Sequence, residues 1–499
     1  MHILPIISQN NSKKCGSKNM SKLSKKAKQN SEQIKQKFVS EDIIEKQVRV
    51  GAKNIITLYS RGLVDVALVS DTVMRPLNNI KQYPKSKVED FILSKIIFPE
   101  IETKDTIDEI IDELTHGKVV VLADGAEKAF VLALDKMKER SIAEPPTSAV
   151  LKGPREGFVE NFKTNVALIK KIIAHPRLKN ETLKIGKYTK TTVSLVYIDG
   201  VCDRNIVDKV KEKLNKINID AVIDSFYVSQ FLEEHPYSMF KQIGNSEKPD
   251  VVSAKVLEGR VAIIVDGSPI VLTIPYMLME DIQNSDDYYS QHSRASLLRW
   301  LRLSCCLITM MLPALYISIQ LYHYKVMPLT FLITIINSTQ NIPFTPFMEI
   351  LFVLILFEIL YEASLRMPQY LGIALSVVGA LILGDTAVKA GLISSPAVMI
   401  VAISGITLYT IPDQSVQLSL LRFAYTIFGG ILGFYGIIIL SLFLIIYLND
   451  FDNYNTPYLA PYAPYVKNDI KDGMFKRDII TMKTRPKSFK NKNKVRLKK

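Results

Sequence analysis

The chain has 499 residues, which is too long for one ordinary domain, and its formal net charge is +14. Its charged residues lie mostly before Arg302 and after Asp450, and the stretch between them is nearly all apolar, so a soluble part joined to a membrane part is indicated. The lysine-rich ends lack interleaved aromatic residues and any recognition motif, which argues against nucleic acid and for anionic lipid headgroups or solvent.

Chemistry-bearing motifs are missing from the sequence. The four cysteines, Cys15, Cys202, Cys305 and Cys306, have neither metal nor disulfide spacing. No zinc-protease, phosphate-loop or nucleophile-elbow pattern occurs, and the histidines have no ligand spacing. We therefore predict no catalytic residue, no metal site, no cofactor and no enzyme activity. The opening residues lack the basic region of a secretory signal, so the soluble part is expected in the cytosol.

The first half of the chain predicts α/β structure. Residues 1–45 are rich in Ser, Asn, Lys and Gln and are expected to be a disordered basic tail. Strand-like runs then alternate with amphipathic helical patterns, as in the strand 193–200 followed by the helix 205–217. We place one α/β subdomain at 46–145, a connecting helix and turn at 146–187, and a second α/β subdomain at 188–290.

Two short patterns repeat within this half, which indicates duplication of the subdomain. The sequence VAIIVDGSPIVLTI also predicts a hairpin in which Gly267 has a positive φ. The repeated positions, at nearly the same spacing, are Tyr59, Gly62 and Asp65 with Tyr197, Gly200 and Asp203, and Gly117 and Gly125 with Gly259 and Gly267.

The connecting region contains an irregular turn, Gly153-Pro154-Arg155-Glu156-Gly157, ahead of an amphipathic helix at 161–173. One interpretation of the turn is an interdomain hinge. The other is a ligand turn whose backbone N–H groups and Arg155 bind an anion.

Residues 297–449 predict a transmembrane helical domain. Four stretches are apolar and long enough to cross: 303–324, 371–388, 392–411 and 418–448. The polar, proline-containing stretch 326–345 predicts a broken or re-entrant segment, and 346–368 adds a further candidate, so four to six spans are expected. Basic flanks place both ends in the cytosol, with 450–499 as a cytosolic basic tail.

Charged residues inside the apolar region are the candidate functional positions, because charge at membrane depth must be paired or hydrated. Glu358, Glu362 and Arg366 follow helical spacing and form one polar stripe, in which Arg366 can neutralise only one carboxylate. Glu349 falls on the opposite face and is expected to reach the membrane interface. Asp385 and Lys389, one turn apart, form either an internal ion pair or part of a permeation path.

The predicted fold is therefore an α/β soluble domain made of two similar subdomains, followed by an all-α polytopic transmembrane bundle. The chain from about 144 to 486 resembles the A subunit of the GerA-type spore germinant receptors. Eight sequences carry the resemblance: LKGPREGFVENFKTN, SEKPDVV, GRVAIIVDGSP, LLRWLRLSCCLITMMLPALYISIQLYH, FEILYEASLRMP, SVVGALILGDTAVKAGLISSP, TIPDQSVQLSLLRF and TPYLAPYAPY. Tyr361, where the family usually has Arg, is a departure from the pattern.

This resemblance implies a subunit of a nutrient receptor in the inner membrane of the spore, with its soluble domain on the core side. It implies a permease-like B subunit and a lipoprotein C subunit as partners, together with homo-oligomers that form a nutrient-gated cation channel. Two alternatives stay open: a membrane-anchored signalling scaffold without a pore, and a secondary transporter subunit, against which the lack of an evident inverted repeat counts.

Overall fold

The structure, a computed structural model, describes residues 22–39, 42–80, 82–84, 88–134, 152–366 and 386–496. The first subdomain is a five-stranded antiparallel sheet with the order β1-β2-β4-β5-β3 and helices on both faces. Its elements are α1 (Ala27–Lys37), β1 (Ile43–Val50), β2 (Lys53–Ser60), α2 (Val66–Val69), α3 (Arg75–Asn78), α4 (Val88–Lys95), β3 (Ile101–Lys104), α5 (Ile107–Thr115), β4 (Val119–Ala123) and β5 (Ala129–Leu132).

Residues 1–45 are predicted to be disordered. For the part of that segment that the structure describes, the prediction is wrong, because helix α1 forms there. Ala27 and Ile34 are fully buried against α5 and one face of the sheet. The backbone N–H of Ala27 also donates to Asp124 Oδ1 over 2.8 Å. Two apolar residues on one face of α1 are enough to hold the helix on the sheet, because the sheet supplies the remaining apolar surface.

The second subdomain has the same strand order, β6-β7-β9-β10-β8. Its elements are α6 (Phe162–Ile172), β6 (Leu178–Ile185), β7 (Thr191–Ile198), α7 (Arg204–Lys216), α8 (Ser225–Leu232), β8 (Gly244–Ser246), α9 (Pro249–Leu257), β9 (Val261–Val265), β10 (Val271–Ile274), α10 (Met279–Ile282) and α11 (Ser285–Tyr288).

The repeated residues occupy equivalent positions in the two subdomains. Asp65 and Asp203 each accept backbone N–H groups at the start of a helix, α2 and α7. The paired glycines all have positive φ, including 93° at both Gly125 and Gly267 in the β4–β5 and β9–β10 hairpins. The predicted duplication and the predicted hairpin are therefore present in the described residues.

Helix α6 occupies 162–172, as predicted, but it does not belong to a separate connector. Its buried residues Leu168 and Ile169 pack on Val196 and Ala262 of the second sheet, and β6 is the first strand of that sheet. The boundary at 188 is therefore wrong, because helix and strand share the core of the second subdomain.

The helical half follows. Its helices are α12 (His292–Tyr322), α13 (Leu329–Thr339), α14 (Pro346–Arg366), α15 (Ala387–Lys389), α16 (Ser395–Leu408), α17 (Ser415–Leu432) and α18 (Phe434–Asp450). Among the described residues, two helical stretches are long and apolar enough to cross a membrane: His292–Tyr322 and Pro412–Leu432. Gly429 permits close packing of α17 on α12, because a Cβ there would lie 3.0 Å from that of Ala314.

The chain reverses at Gly433, so the prediction of a single span over 418–448 is wrong. Gly433 has φ 62° and ψ −143°, a conformation that ends α17 and starts α18. The Tyr425 hydroxyl and Ser441 Oγ, on opposite sides of this turn, are 2.9 Å apart. Because the stretch 418–448 is apolar throughout, its hydropathy did not reveal that it forms two antiparallel helices.

Contacts between helices fix their directions. We call the end of the helical half beside the α/β half the near end and the opposite end the far end. Helix α12 begins at the near end, and at the far end Tyr322 donates a hydrogen bond to the carbonyl of Gly430, near the end of α17. Helices α14 and α16 begin at the far end, where Glu349 meets Ser394. Tyr361 and Tyr409 pack 5.4 Å apart towards the near end.

The segment after α18 folds back over the second subdomain, although its basic composition predicted only a cytosolic tail. It contains β11 (Asp452–Asn453), β12 (Thr456–Pro457) and three 3-10 turns, at Asp469–Lys471, Ile479–Thr481 and Lys487–Phe489. Phe489 is 1% exposed, and the Arg260 guanidinium lies 4.3 Å from the centre of its ring.

Candidate functional site

A charged pair joins α14 to α17 inside the helical half. Arg422 is 2% exposed, and its Nη2 donates to Glu358 Oε2 over 2.9 Å. Ser419 donates to the second carboxylate oxygen of Glu358 over 2.9 Å. Both carboxylate oxygens are therefore hydrogen-bonded, which a buried ion pair needs to offset desolvation.

Hydroxyl groups extend this pair across the bundle. Arg422 Nη1 lies 3.4 Å from Ser404 Oγ, and that hydroxyl donates to the carbonyl of Thr309 over 3.0 Å. The Thr309 and Thr407 hydroxyls are 2.8 Å apart. Four helices, α12, α14, α16 and α17, thus contribute to one polar cluster inside the bundle.

The structure adds a partner from another helix to the predicted charge stripe. Glu358 is paired with Arg422, which the sequence reasoning had noted only as a charge near the start of a span. A lone arginine in an apolar run was the signal that could have identified this partner. Glu362 lies on an exposed part of α14. Arg366 is the last residue of α14, and its side chain lies outside the described structure.

Glu349 is also placed differently from the expectation. It is 1% exposed, and its carboxylate accepts the backbone N–H of Ser394, the N-cap of α16. The interfacial placement is therefore wrong, because the start of α16 supplies a donor and a positive helix end within the bundle.

The second predicted intramembrane pair is only partly described. Lys389 is an exposed residue of α15, and Asp385 lies outside the described residues. The pairing of Asp385 with Lys389 stays a prediction.

The residues that join the two halves form a buried network that sequence reasoning missed. Asp287 and Arg299 are fully buried, and Arg299 Nε donates to Asp287 Oδ2 over 3.0 Å. Arg302 donates to both oxygens of Asp287 at 2.9 Å. Arg299 Nη1 also donates to Asp472 Oδ1 over 3.0 Å. The start of α12 is thereby tied to the α/β half and to the C-terminal segment.

A second junction involves the turn between α16 and α17. Gln414 of this turn donates to Asp281 Oδ2 over 3.2 Å, and the Tyr276 hydroxyl donates to the same oxygen over 2.5 Å. Lys241 lies 3.4 Å from Asp281 and 3.7 Å from Asp413. Burial raises the pKa of Asp281 even though Lys241 opposes the shift.

The Gly153–Gly157 turn lies at the surface of the second subdomain, ahead of α6. Glu156 pairs with Lys171 over 3.5 Å, and a Cβ at Gly153, where φ is 119°, would lie 2.6 Å from the Tyr289 ring. These contacts attach the turn to its own subdomain. Its roles as a hinge or as a ligand turn both stay predictions. Throughout the part of the chain that the structure describes, no group of three His, Cys, Asp or Glu residues could hold a metal.

Comparison with known proteins identifies the family. The model of the Bacillus/Clostridium GerA spore germination protein matches residues 29–488. Spore germination protein KA of Bacillus subtilis (strain 168) is 33% identical over 476 residues, which cover 94% of this chain and 88% of that protein. Spore germination protein A1 of the same organism is 35% identical over 391 residues, 78% of this chain and 80% of that protein.

A crystal structure, the N-terminal domain of the A subunit of the Bacillus megaterium spore germinant receptor GerK3, is 28% identical with a TM-score of 0.41. It matches 51% of this chain and 97% of its own length. The family match covers most of the present chain, through the α/β half, the helical half and most of the C-terminal segment. The chain therefore belongs to the GerA family of spore germination proteins.

Proposed function

We propose that this chain is the A subunit of a spore germinant receptor and that it oligomerises into a nutrient-gated cation channel of the spore inner membrane. A permease-like B subunit and a lipoprotein C subunit are its proposed partners, and the α/β half, on the cytosolic side, couples their state to the pore. Family membership supports the receptor role. The exposed face of α14 supports the channel role.

That exposed face is the observation that carries the proposal. Four large apolar side chains and one carboxylate share it, at positions three or four residues apart: Met348, Phe352, Ile355, Ile359 and Glu362. The opposite face of α14 is buried, with Ile350, Val353 and Leu354 fully covered. A carboxylate on the outer face of a membrane helix is costly against lipid, so this face fits water or neighbouring copies. In a ring of subunits it would form an apolar constriction with acidic groups near one mouth.

The helix directions support an even number of crossings. Helices α12 and α17 run from the near end to the far end, and α14, α16 and α18 return. The predicted span 371–388 lies almost wholly outside the described residues and stays a prediction. With it the crossings number six, which would leave the α/β half and the C-terminal segment on the same side. Helix α13 has only 11 residues. It lies between the end of α12 and the start of α14, which are both at the far end, so it suits a re-entrant or interfacial segment.

A cysteine-accessibility scan of α14 tests the pore face. The background is Cys15→Ser. Cys202, Cys305 and Cys306 are all buried, and burial raises the pKa of Cys202 to about 12, so little reactive thiolate competes. With the assembled receptor, we expect an impermeant thiol reagent to block nutrient-triggered cation release through Ile355→Cys and Ile359→Cys. Phe443 of α18 is 65% exposed, more than Ile355 at 45% and Ile359 at 58%, so Phe443→Cys is the matched control and should leave release unchanged.

Charge substitution gives a second readout. Glu362→Gln should lower the preference for cations over anions while leaving nutrient binding intact. Equal effects of the reagent on α14 and α18 positions would contradict the pore assignment. Nutrient binding by a reconstituted receptor that shows no conductance would favour the scaffold instead.

A further inference from the structure

A loop with exposed aromatic and methionine side chains lies on the side of the second subdomain that faces the helical half. It connects α8 to β8 and includes Tyr237, whose side chain is 103% exposed, and Met239, which is 49% exposed. Phe231, 44% exposed, lies at the end of α8 just before it. Exposed large apolar side chains that lie close together mark a surface for contact with a membrane or another molecule.

The depth of this loop is fixed by α18. The Tyr447 hydroxyl donates to Ser238 Oγ over 2.9 Å, and the ring of Phe240 lies 5.8 Å from that of Tyr447. Ser238 stands between Tyr237 and Met239, so both are at the level of the last turns of α18. The loop is therefore beside the helical half and not at the distal side of the α/β half.

The exposed face of α18 indicates what surrounds the loop at the level of Tyr447. Directly before Tyr447, four large apolar residues are 55–68% exposed: Leu442, Phe443, Ile445 and Ile446. In the proposed membrane protein this face contacts lipid acyl chains. Each helical residue advances about 1.5 Å, so Ile446 and Tyr447 differ little in depth. The loop thus continues an apolar surface that ends where headgroups begin.

A second group of exposed residues lies at the near end of α12. The rings of Trp300 and Phe475 are 5.8 Å apart and both are exposed, as are Leu297 and Ile480. Aromatic side chains with a polar atom favour the boundary between headgroups and acyl chains. Residues of the types that favour the membrane interface thus lie beside both α12 and α18, the first and last helices of the helical half.

We propose that the loop carrying Tyr237 and Met239 inserts into the headgroup–acyl boundary of the bilayer and anchors the second subdomain to the membrane surface. The tyrosine ring would occupy the apolar side of the boundary, with its hydroxyl among headgroups, and Met239 would contact upper acyl carbons. This inference rests on the proposed membrane location of the helical half. Its occupant is lipid, because the loop is continuous with the exposed face of α18.

Tryptophan fluorescence with brominated lipids tests the proposal in the full chain. Trp300 is the only tryptophan, so Trp300→Phe gives a silent background for single Tyr237→Trp, Phe443→Trp and Tyr188→Trp variants. Tyr188 is 83% exposed in the β6–β7 turn, at the end of the sheet opposite to Ile274 and the helical half. It is the matched control for a solvent-exposed aromatic residue on the same subdomain.

In nanodiscs of phosphatidylcholine brominated near the headgroup, we expect strong quenching at position 237 and none at position 188. Quenching at position 443 but not at 237 would overturn this inference while leaving the membrane assignment intact. Protection of position 237 from both bromolipid and aqueous acrylamide would also overturn it, since a second copy of the chain would then cover the loop. Absence of quenching at position 443 would instead contradict the proposed membrane location.

Discussion

Glu358 and Arg422 are 64 residues apart in the chain and 2.9 Å apart in the bundle, between the carboxylate Oε2 and the guanidinium Nη2. The two sides of the pair differ in exposure: Arg422 is almost completely buried, and the Glu358 side chain is 35% exposed. Loss of either partner therefore has unequal consequences, because a charge left on Glu358 can gain water more easily than one left on Arg422.

Glu358→Gln should destabilise the protein by on the order of 3 kcal/mol, the lower end of the cost of stranding a buried charge. Arg422→Gln should cost less, since Glu358 is partly accessible. The double variant Glu358→Gln/Arg422→Gln should recover part of the loss. Melting temperatures in detergent measure all three, and strictly additive losses would show that the two residues do not interact.

Asp287 predicts how the junction responds to acid. Burial acts to raise the pKa of Asp287, but hydrogen bonds and charge from Arg302 and Arg299 hold it below its ordinary value of 3.8. A carboxyl group whose pKa is lowered by folding contributes stability that is complete above its unfolded pKa and is lost as pH falls through the folded one. The junction should therefore be intact at neutral pH and should weaken only below about pH 4.

The measurement compares acid unfolding of the native chain and Asp287→Asn in detergent. The variant should melt at a lower temperature at neutral pH, because Arg299 and Arg302 lose their shared carboxylate. Its melting temperature should also fall less steeply below about pH 4. All other carboxyl groups are common to both proteins, so the difference between the curves reports Asp287. Parallel curves would contradict the assignment.

Gly433 predicts a backbone effect at the α17–α18 reversal. An alanine there would adopt an unfavourable positive φ, and its Cβ would lie 2.9 Å from the ring of Tyr322. Gly433→Ala should therefore destabilise the protein by roughly 1–3 kcal/mol. Gly405→Ala is the matched control: it lies inside α16, and its Cβ would meet no atom nearer than 3.8 Å at Phe357. That control should stabilise by about 0.5–1 kcal/mol, and equal melting shifts for both variants would refute the argument.

Phe489 predicts how firmly the C-terminal segment is attached. Truncation of a buried phenylalanine to alanine costs about 3–5 kcal/mol in protein cores, and here the ring also supports the Arg260 guanidinium. Phe489→Ala should therefore expose the segment to limited proteolysis at protease levels that leave the native chain intact. Tyr465→Ala, at a residue of the same segment that is 71% exposed, should not. Unchanged cleavage of both variants would mean that other contacts hold the segment.

Local patterns allowed the α/β half to be predicted in some detail. The Asp-Gly hairpin at Gly267 and the helix predicted over 205–217 each depend on residues within a few positions, so sequence alone is informative. Duplication added a second observation of each feature. The boundaries were less accurate, because α1 and α6 owe their place to burial against sheets formed by more distant segments.

The candidate site depended on distant contacts and was predicted poorly. Helical spacing grouped Glu358 with Glu362 and Arg366, because it reveals only neighbours on the same helix. Arg422 comes from another helix, and Ser394 likewise meets Glu349 across the bundle. Hydropathy also could not show the reversal at Gly433, since both sides of the turn are equally apolar. Asp472 lies in a charged segment that gave no local sign of its contact with Arg299.

The second subdomain contacts both the first and the last helix of the helical half, through Asp287 at α12 and Ser238 at α18. Helix α14 instead packs on α12, α16 and α17 among the described residues. A displacement of this subdomain would therefore act on the near ends of α12 and α18 together. Helix α14 would be affected only through its packing on α12, α16 and α17.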